Sequence, residues 1–394
     1  MTSDGKIKVL VCSDRVGYGH IRGMLAISDM FEKEYSDKII TEIGIFSDLS
    51  SAKYREKWQM INEGLNFVYA HLSDFNLNQN PVDMLNYFDT AWEWLAKADD
   101  GVFEAAIRKN RFDLTIGAHP AICALLPNDP GIMIGLDPYP PLYFCRNKNI
   151  ITTAVDGPSL RGFNKLGAHD ARETGAMIPY AVIQARKNAM ARIAEVRNGD
   201  PIIVSILTGG SLTHGQQITE LTAALQRQTN EQDVKKIYVV VGNSKQMLET
   251  VTKVAMGDKR VEIVYDEDQI RLVRRADETL GKADIVIAKT GEIPQCIIPG
   301  GKAFKTFHYK PALGPQEIAL REYPQELSRV NGLSALEIGI EPELEVARIL
   351  KQKADGTLAH MMENGLRVPE YGTKNLAKIV LEMRDKLLAE TKHE

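Results

Sequence analysis

Ile7-Lys8-Val9-Leu10-Val11-Cys12, followed by Ser13-Asp14-Arg15-Val16-Gly17-Tyr18-Gly19-His20, is the stretch on which the fold turns. A short run rich in β-branched residues, closed by small and polar ones, has the length of a buried strand. The glycines behind it let the backbone turn sharply and approach a ligand closely. A helix is expected to open at Ile21, because Met24, Ile27 and Phe31 share one face at spacings of three and four. Strand, glycine turn and helix together begin a right-handed βαβ unit, whose natural setting is a parallel sheet covered on both faces.

The same grammar continues outward from this stretch. Ile39–Phe46, Asp113–Gly117, Gly131–Leu136 and Ile151–Val155 read as further strands, bounded by Gly, Pro, Asp or Ser. Tyr54, Trp58, Ile61 and Leu65 repeat a helical face between two of them. The pattern starts again with Ile202–Leu207, Lys236–Val241, Val261–Tyr265, Asp284–Ala288 and Ala303–Phe307. Ile218, Leu221, Ala224 and Leu225 mark one of the intervening helices. Beyond Ser334 the pattern becomes helical, ending in Leu376–Leu388.

The expected fold class is therefore α/β, with two Rossmann-like doubly wound domains and a helical C-terminal tail. The boundaries follow from the seam at the charged stretch before Asn198-Gly199-Asp200-Pro201. Residues 1–182 form the first domain, 183–200 a hinge, 201–373 the second domain, and 374–394 a helix packing back on the first.

Length and composition agree with that division. The chain has 394 residues, and 44% hydrophobic with 25% charged residues is average for globular proteins, large enough for two cores. A net charge of -4 argues against a partner that needs many phosphate contacts, so no nucleic acid is expected. Cys12, Cys123, Cys145 and Cys296 have neither disulfide-framework nor zinc-ligand spacing. The start of the chain lacks the apolar core of a signal peptide, and no stretch has the apolar length of a membrane span. The expectation is a soluble, cytoplasmic protein in a reducing compartment.

Candidate site residues cluster where strands give way to helices. His20 follows Gly17-Tyr18-Gly19 and would stand at the carboxyl edge of the sheet, where an imidazole can accept a proton near neutrality. A histidine that merely caps the helix carries equal weight. The spacing is not that of a dinucleotide fingerprint, because Gly23 comes one position late. His119, in Ile116-Gly117-Ala118-His119-Pro120, should lie on the same edge, and a polar residue before a proline turn is the plainer reading. In the second half, Thr208-Gly209-Gly210-Ser211 ends a strand and could hold a diphosphate through backbone N–H groups and hydroxyls. No Gly-Lys-Ser/Thr follows, so it is not a P-loop.

Lys289-Thr290-Gly291-Glu292 makes another strand-to-helix junction, and Gly314-Pro315-Gln316-Glu317 leads into a further helix. Gln316 and Glu317 could bond sugar hydroxyls, although alone they would more often be a solvated first turn. Asp266-Glu267-Asp268 suits a helix N-terminus better than a metal. Trp58, Trp92 and Trp94 could form a lipid- or aglycone-facing surface, with core packing the more frequent use of such residues.

Taken in order, these junctions resemble the GT-B glycosyltransferases. The nearest branch looks like monogalactosyldiacylglycerol synthase and the processive diacylglycerol glucosyltransferases. Ser13 through His20 is similar to that family's Ser-Asp-x-Gly-Gly-Gly-His, and Asp113 through Pro120 to its Pro-Asp-(apolar)-Ser-x-His-Pro strand. Thr174-Gly175-Ala176-Met177-Ile178-Pro179 resembles, more loosely, its Thr-Gly-x-Pro segment. Thr208–Ser211, Val239–Asn243, Lys289–Gly291 and Gly314–Glu317 follow the donor-domain motifs in sequence. There are departures as well. Tyr18 separates the two glycines of the first loop, and the family's ribose-contacting glutamate is missing, leaving Glu292 and Gln295 as open alternatives. The asparagine expected after the Pro-Gly-Gln-Glu motif is also absent, with Ile318 in its place.

The resemblance implies two domains facing across a cleft, an acceptor bound by the first and a nucleotide-sugar donor by the second. It implies an inverting, metal-independent transfer of a hexose from a uridine diphosphate sugar to a hydroxyl. The nucleotide sugar is a co-substrate, and neither a metal nor a further cofactor is expected. His20 would be the base, its proton passing on through a carboxylate such as Asp137. Gly17, Gly19, Thr208, Gly209, Gly210, Ser211, Asn243, Thr290, Gly291, Glu292, Gln316 and Glu317 would serve the donor, and His119 the acceptor. A lipid and a small-molecule acceptor both fit, the first with peripheral membrane contact; the oligomeric state is open. A nucleotide-sugar 2-epimerase and a non-catalytic nucleotide-sugar sensor are the rival readings.

Overall fold

Strand β1 (Ile7–Ser13) lies between β2 (Ile39–Ile45) and β3 (Leu114–Gly117), parallel to both. Beyond β3 the sheet continues through β4 (Gly131–Ile134), β5 (Ile150–Ala154) and β6 (Asp170–Glu173), in the order β2-β1-β3-β4-β5-β6. The structure, a computed structural model, describes residues 5–15, 17–70, 93–136, 147–208, 215–288, 293–307, 336–337 and 341–391. Strands β3, β4 and β5 are buried along their whole length, as parallel strands covered on both faces must be.

The polar β6 was not expected from the sequence. Asp-Ala-Arg-Glu has no apolar run to betray it, because it sits at the sheet edge. There Arg172 pairs with Asp170 at 2.8 Å and with Glu382 at 3.2 Å, holding the edge with charge rather than burial.

A second all-parallel sheet is built from β7 (Ile202–Leu207), β8 (Val234–Gly242), β9 (Val261–Tyr265), β10 (Ile285–Ala288), β11 (Ala303–Thr306) and β12 (Leu336–Glu337). Its order is β12-β11-β10-β7-β8-β9, the doubly wound arrangement of a dinucleotide-binding sheet. Ile202, Val204 and Ile206 of β7 pack with Ile218, Leu221 and Leu225 of the helix Gly215–Gln228, the apolar stripe read from the sequence. The two-residue β12 was not foreseen.

Among the described residues, one compact unit comprises those up to Pro179 and those from Tyr371 onward, and the other those from Tyr180 to Glu370. Residues 183–200, expected as a charged helical hinge, form most of two helices, Tyr180–Arg186 and Ala189–Arg197, which belong to the second unit. Ile193 and Val196 belong to its apolar core. Arg192 forks onto the buried Asp284 at 2.7 and 2.9 Å, and Arg186 donates to the carbonyls of Leu366 and Val368 at 2.7 and 3.2 Å. A guanidinium that satisfies several carbonyls fixes its segment in place.

The helix Gly372–Thr391 belongs to the first unit. Asn375 Nδ2 donates to the carbonyl of Thr174 at 2.9 Å. Backbone meets backbone next to it: a Cβ on Gly372 would lie 1.8 Å from the carbonyl oxygen of Ala176. Gly175, at φ +98°, completes the crossing with a conformation that L side chains rarely adopt.

Candidate active site

Chain direction reverses across each sheet at one place. In the first sheet the chain runs from β1 outward to β2, then returns to β3 on the other side of β1. In the second it runs from β7 through β8 to β9, then returns to β10 on the far side of β7. Helices leave such neighbouring strands toward opposite faces, so a crevice opens at their carboxyl ends, where α/β proteins bind ligands. Strands that precede four of the junctions singled out in the sequence border these two points. His20 follows β1 and His119 follows β3; Thr208 follows β7, and residues 289–292 follow β10.

The helix α1 (Gly17–Glu34) begins four residues earlier than expected and takes Gly17, Tyr18 and Gly19 into its first turn. His20 is thus inside the helix rather than on a loop before it. Apolar periodicity marks only the buried face and cannot show the first turn, whose N–H groups have no intrahelical partner. Gly23, one turn further on, lets α1 come close: its missing Cβ would lie 2.7 Å from Leu136 Cδ2 and 3.6 Å from Ala118 Cβ. This approach brings His20 Nδ1 to 2.6 Å from the carbonyl oxygen of Ala118. A carbonyl can only accept, so Nδ1 carries the hydrogen and the neutral ring has its lone pair on Nε2.

His119 is 3% exposed, which puts it under the site rather than on its surface, and direct acceptor contact does not suit it. Its Nδ1 accepts from the N–H of Ala121 at 3.2 Å, so its neutral ring is the Nε2–H tautomer, opposite to that of His20. Burial, followed by the neighbouring His20, holds His119 well below the usual histidine range, and it stays neutral. Its ring meets that of His20 edge-on at 4.8 Å and that of Trp58 at 5.2 Å.

Helices α2 (Phe46–Leu49) and α3 (Ala52–Ala70) close the other side. Tyr54 and Trp58 stand one turn apart on α3 and stack with ring centroids 6.3 Å apart. Trp58 is 4% exposed and is a core residue, whereas Trp94 is 40% exposed with the ammonium of Lys57 over its ring.

Asp14 is the functional candidate that the sequence reading left without a role. It lies just beyond β1, buried, and accepts from Ser47 Oγ at 2.8 Å, Arg15 N at 3.1 Å and Tyr54 Oη at 3.3 Å. Burial pushes its carboxyl up to about 6, against the pull of those hydrogen bonds. The sequence did place Asp14 at a strand end; what it could not show was burial, which comes from α2 and α3 folding over it.

In the second unit Thr208 is 5% exposed and its N–H donates to the Val240 carbonyl at 3.0 Å. Its hydroxyl is buried with no hydrogen-bond partner among the described residues, the state of a group that a ligand could satisfy. Asn243 is an exposed turn residue after β8. Gln295 is buried in the helix Ile293–Ile297. Asp266, Glu267 and Asp268 are occupied locally: Asp268 caps the helix Gln269–Lys282 through Arg271 N at 2.9 Å, Asp266 takes the Arg271 guanidinium, and Glu267 takes Lys245. Asp137, Gly209, Gly210, Ser211, Thr290, Gly291, Glu292, Gln316, Glu317 and Trp92 lie outside the described residues. Among the described residues, no helix is long and apolar enough to cross a membrane.

Neither a protein-family model nor a curated protein sequence matches the chain. Solved structures do. The UDP-GlcNAc 2-epimerase from Neisseria meningitidis, bound to UDP-GlcNAc, matches with a TM-score of 0.53 at 13% identity, over 96% of this chain and 100% of that one. A putative UDP-N-acetylglucosamine 2-epimerase from Listeria monocytogenes gives 0.53 at 13% identity, over 98% and 97%. S. aureus MnaA, in a co-structure with UDP, gives 0.50 at 14% identity, over 96% and 97%. At such identities the likeness is one of fold. The chain has the GT-B type of fold: two Rossmann-like doubly wound units with a helical C-terminal tail.

Proposed function

We propose that this chain acts on a uridine diphosphate sugar and transfers its hexose to a hydroxyl acceptor. The observation that carries the reading is His20, whose Nδ1–H is committed to the Ala118 carbonyl at the switch point of the first sheet. A ring held in that tautomer has Nε2 as its basic atom. The acceptor O–H gives its proton to His20 Nε2, and its oxygen bonds to the anomeric carbon. The bond from that carbon to the diphosphate oxygen breaks, and UDP leaves with the electron pair. Attack opposite the leaving group inverts the anomeric centre.

Thr208 and the loop behind it would stabilise the leaving diphosphate through N–H groups and hydroxyls, without a metal. Gln316 and Glu317 would hold the sugar. A lipid, reached by peripheral contact with a membrane, and a small-molecule hydroxyl both fit as the acceptor.

A second reading has support of its own. Two solved structures of matching fold are named as UDP-GlcNAc 2-epimerases, one of them putatively. An epimerase would change the configuration at the donor's C2 and need no acceptor. One experiment separates the readings. The protein is incubated with a panel of UDP-sugars, each with and without diacylglycerol and soluble hydroxyl acceptors, and products are followed by mass spectrometry and proton NMR. UDP release that depends on an acceptor supports transfer, and an isomerised donor without acceptor supports epimerisation. Binding without turnover under every condition would sink both.

A further inference from the structure

We propose that His119 is a positioning residue for His20, holding that ring in the plane from which Nδ1–H reaches the Ala118 carbonyl. The proposal rests on His20 being the proton acceptor of the reading above. Three observations converge on it. His119 is 3% exposed, a burial that an imidazole seldom accepts without a use. Its ring lies edge-on against His20 at 4.8 Å, with an interplanar angle of 72°, and against Trp58 at 5.2 Å and 82°. Its own orientation is set from behind, by the Ala121 N–H on Nδ1 at 3.2 Å. The backbone therefore orients His119, and His119 and the Ala118 carbonyl together orient His20.

The opposite tautomers give the pair a division of labour. Protonating His119 at Nδ1 would break its bond to Ala121 and bury a charge beside Trp58 and Phe46. His119 is thus the ring that burial keeps neutral, while His20 is only partly buried. Asp14 and Tyr54, after β1 and on α3, are bonded to each other; His20 is the charge-bearing group that acts on His119. His119 thus supplies shape and a neutral surface rather than a second base.

Two substitutions divide the ring contact from the backbone contact. His119→Asn keeps an oxygen that can accept from Ala121 N but has no ring, whereas His119→Phe keeps a ring but no acceptor. Nitrogen-15 NMR of the imidazoles reports the tautomer of His20 directly, whatever reaction the protein performs. In the wild type and in His119→Phe, His20 should be the Nδ1–H tautomer; in His119→Asn it should become a mixture. With a turned-over donor in hand, His119→Asn should lose roughly 10- to 100-fold in kcat at unchanged KM, because small misplacements of a catalytic group cost about that much. His119→Phe, which keeps the ring contact but loses the Ala121 bond, should lose less in kcat than His119→Asn, by the same geometric argument.

A His119→Asn protein with wild-type tautomer and wild-type kcat would overturn the proposal, leaving His119 as a turn residue. Loss of the His20 tautomer in His119→Phe alone, with His119→Asn normal, would overturn it equally. If no donor is turned over by the wild type, the functional reading fails, and the tautomer measurement still decides this one.

Discussion

His20 donates from Nδ1 to the carbonyl oxygen of Ala118 at 2.6 Å, joining the first turn of α1 to the end of β3. Gly23 makes the contact geometrically affordable by letting the helix lie against Ala118. The bond is what converts a histidine near a glycine turn into one with a defined basic atom, and it gives the first test. His20→Asn retains a donor for Ala118 and so should fold normally, with unchanged circular dichroism. Removing a general base costs roughly 100- to 10,000-fold, so turnover should fall by at least two orders of magnitude. Calorimetric affinity for UDP should stay within about tenfold, since a neutral hydrogen bond contributes only about 0.5–1.5 kcal/mol. Near-normal turnover would reduce His20 to a cap.

Asp14 makes a prediction about pH. Its folded value of about 6 lies above the ordinary 3.8, so its contribution to stability is complete below the unfolded value and is lost as pH rises through 6. A displacement of that size corresponds to about 3 kcal/mol. Asp14→Asn keeps an oxygen for Ser47 and a donor for Tyr54 while removing the buried charge. The variant should melt higher than wild type at pH 7.5, and the gap should close by pH 4. Parallel melting curves at both pH values would contradict the burial argument.

Thr208 combines a buried hydroxyl with no partner among the described residues. Burying an unsatisfied hydroxyl costs about 1–3 kcal/mol. Thr208→Val should therefore raise the thermal midpoint of the unliganded protein while weakening UDP binding. A rise in midpoint without any loss of affinity would place the diphosphate elsewhere.

Gly372 tests the crossing at the C-terminal helix. Gly372→Ala would put a methyl carbon 1.8 Å from a backbone oxygen, and no side chain can move to relieve it. The backbone itself must shift, so the cost should be about 3 kcal/mol or more. Gly167→Ala is the converse case, with a φ of +91° and open space around the new carbon, and should cost only about 1 kcal/mol. Chemical denaturation of the two variants side by side reads the difference; a loss at Gly372 no larger than at Gly167 would show that the backbone relaxes freely around the new methyl.

Much of this protein was legible in local sequence. Buried parallel strands need continuous apolar runs, and the helices over them need stripes at spacings of three and four. The runs Ile7–Cys12, Asp113–Gly117, Ile202–Leu207 and Asp284–Ala288 therefore announced strands, whereas the strand order that makes switch points of their ends came only from the fold. The polar β6 was invisible because an edge strand is held by backbone pairing and by Arg172, not by apolar side chains. The stretch 183–200 reads in sequence as a charged helical hinge, with nothing local to show where its charge goes. Arg186 and Arg192 carry that charge inward, to carbonyls and to Asp284. Tertiary structure alone decided what the two histidines are. Both stand after strands in the sequence, yet only the packing of α2 and α3 buries His119 and Asp14, while α1 leaves His20 partly exposed. Tautomer, charge and accessibility follow from contacts between residues far apart in the chain, and a local pattern carries no record of those.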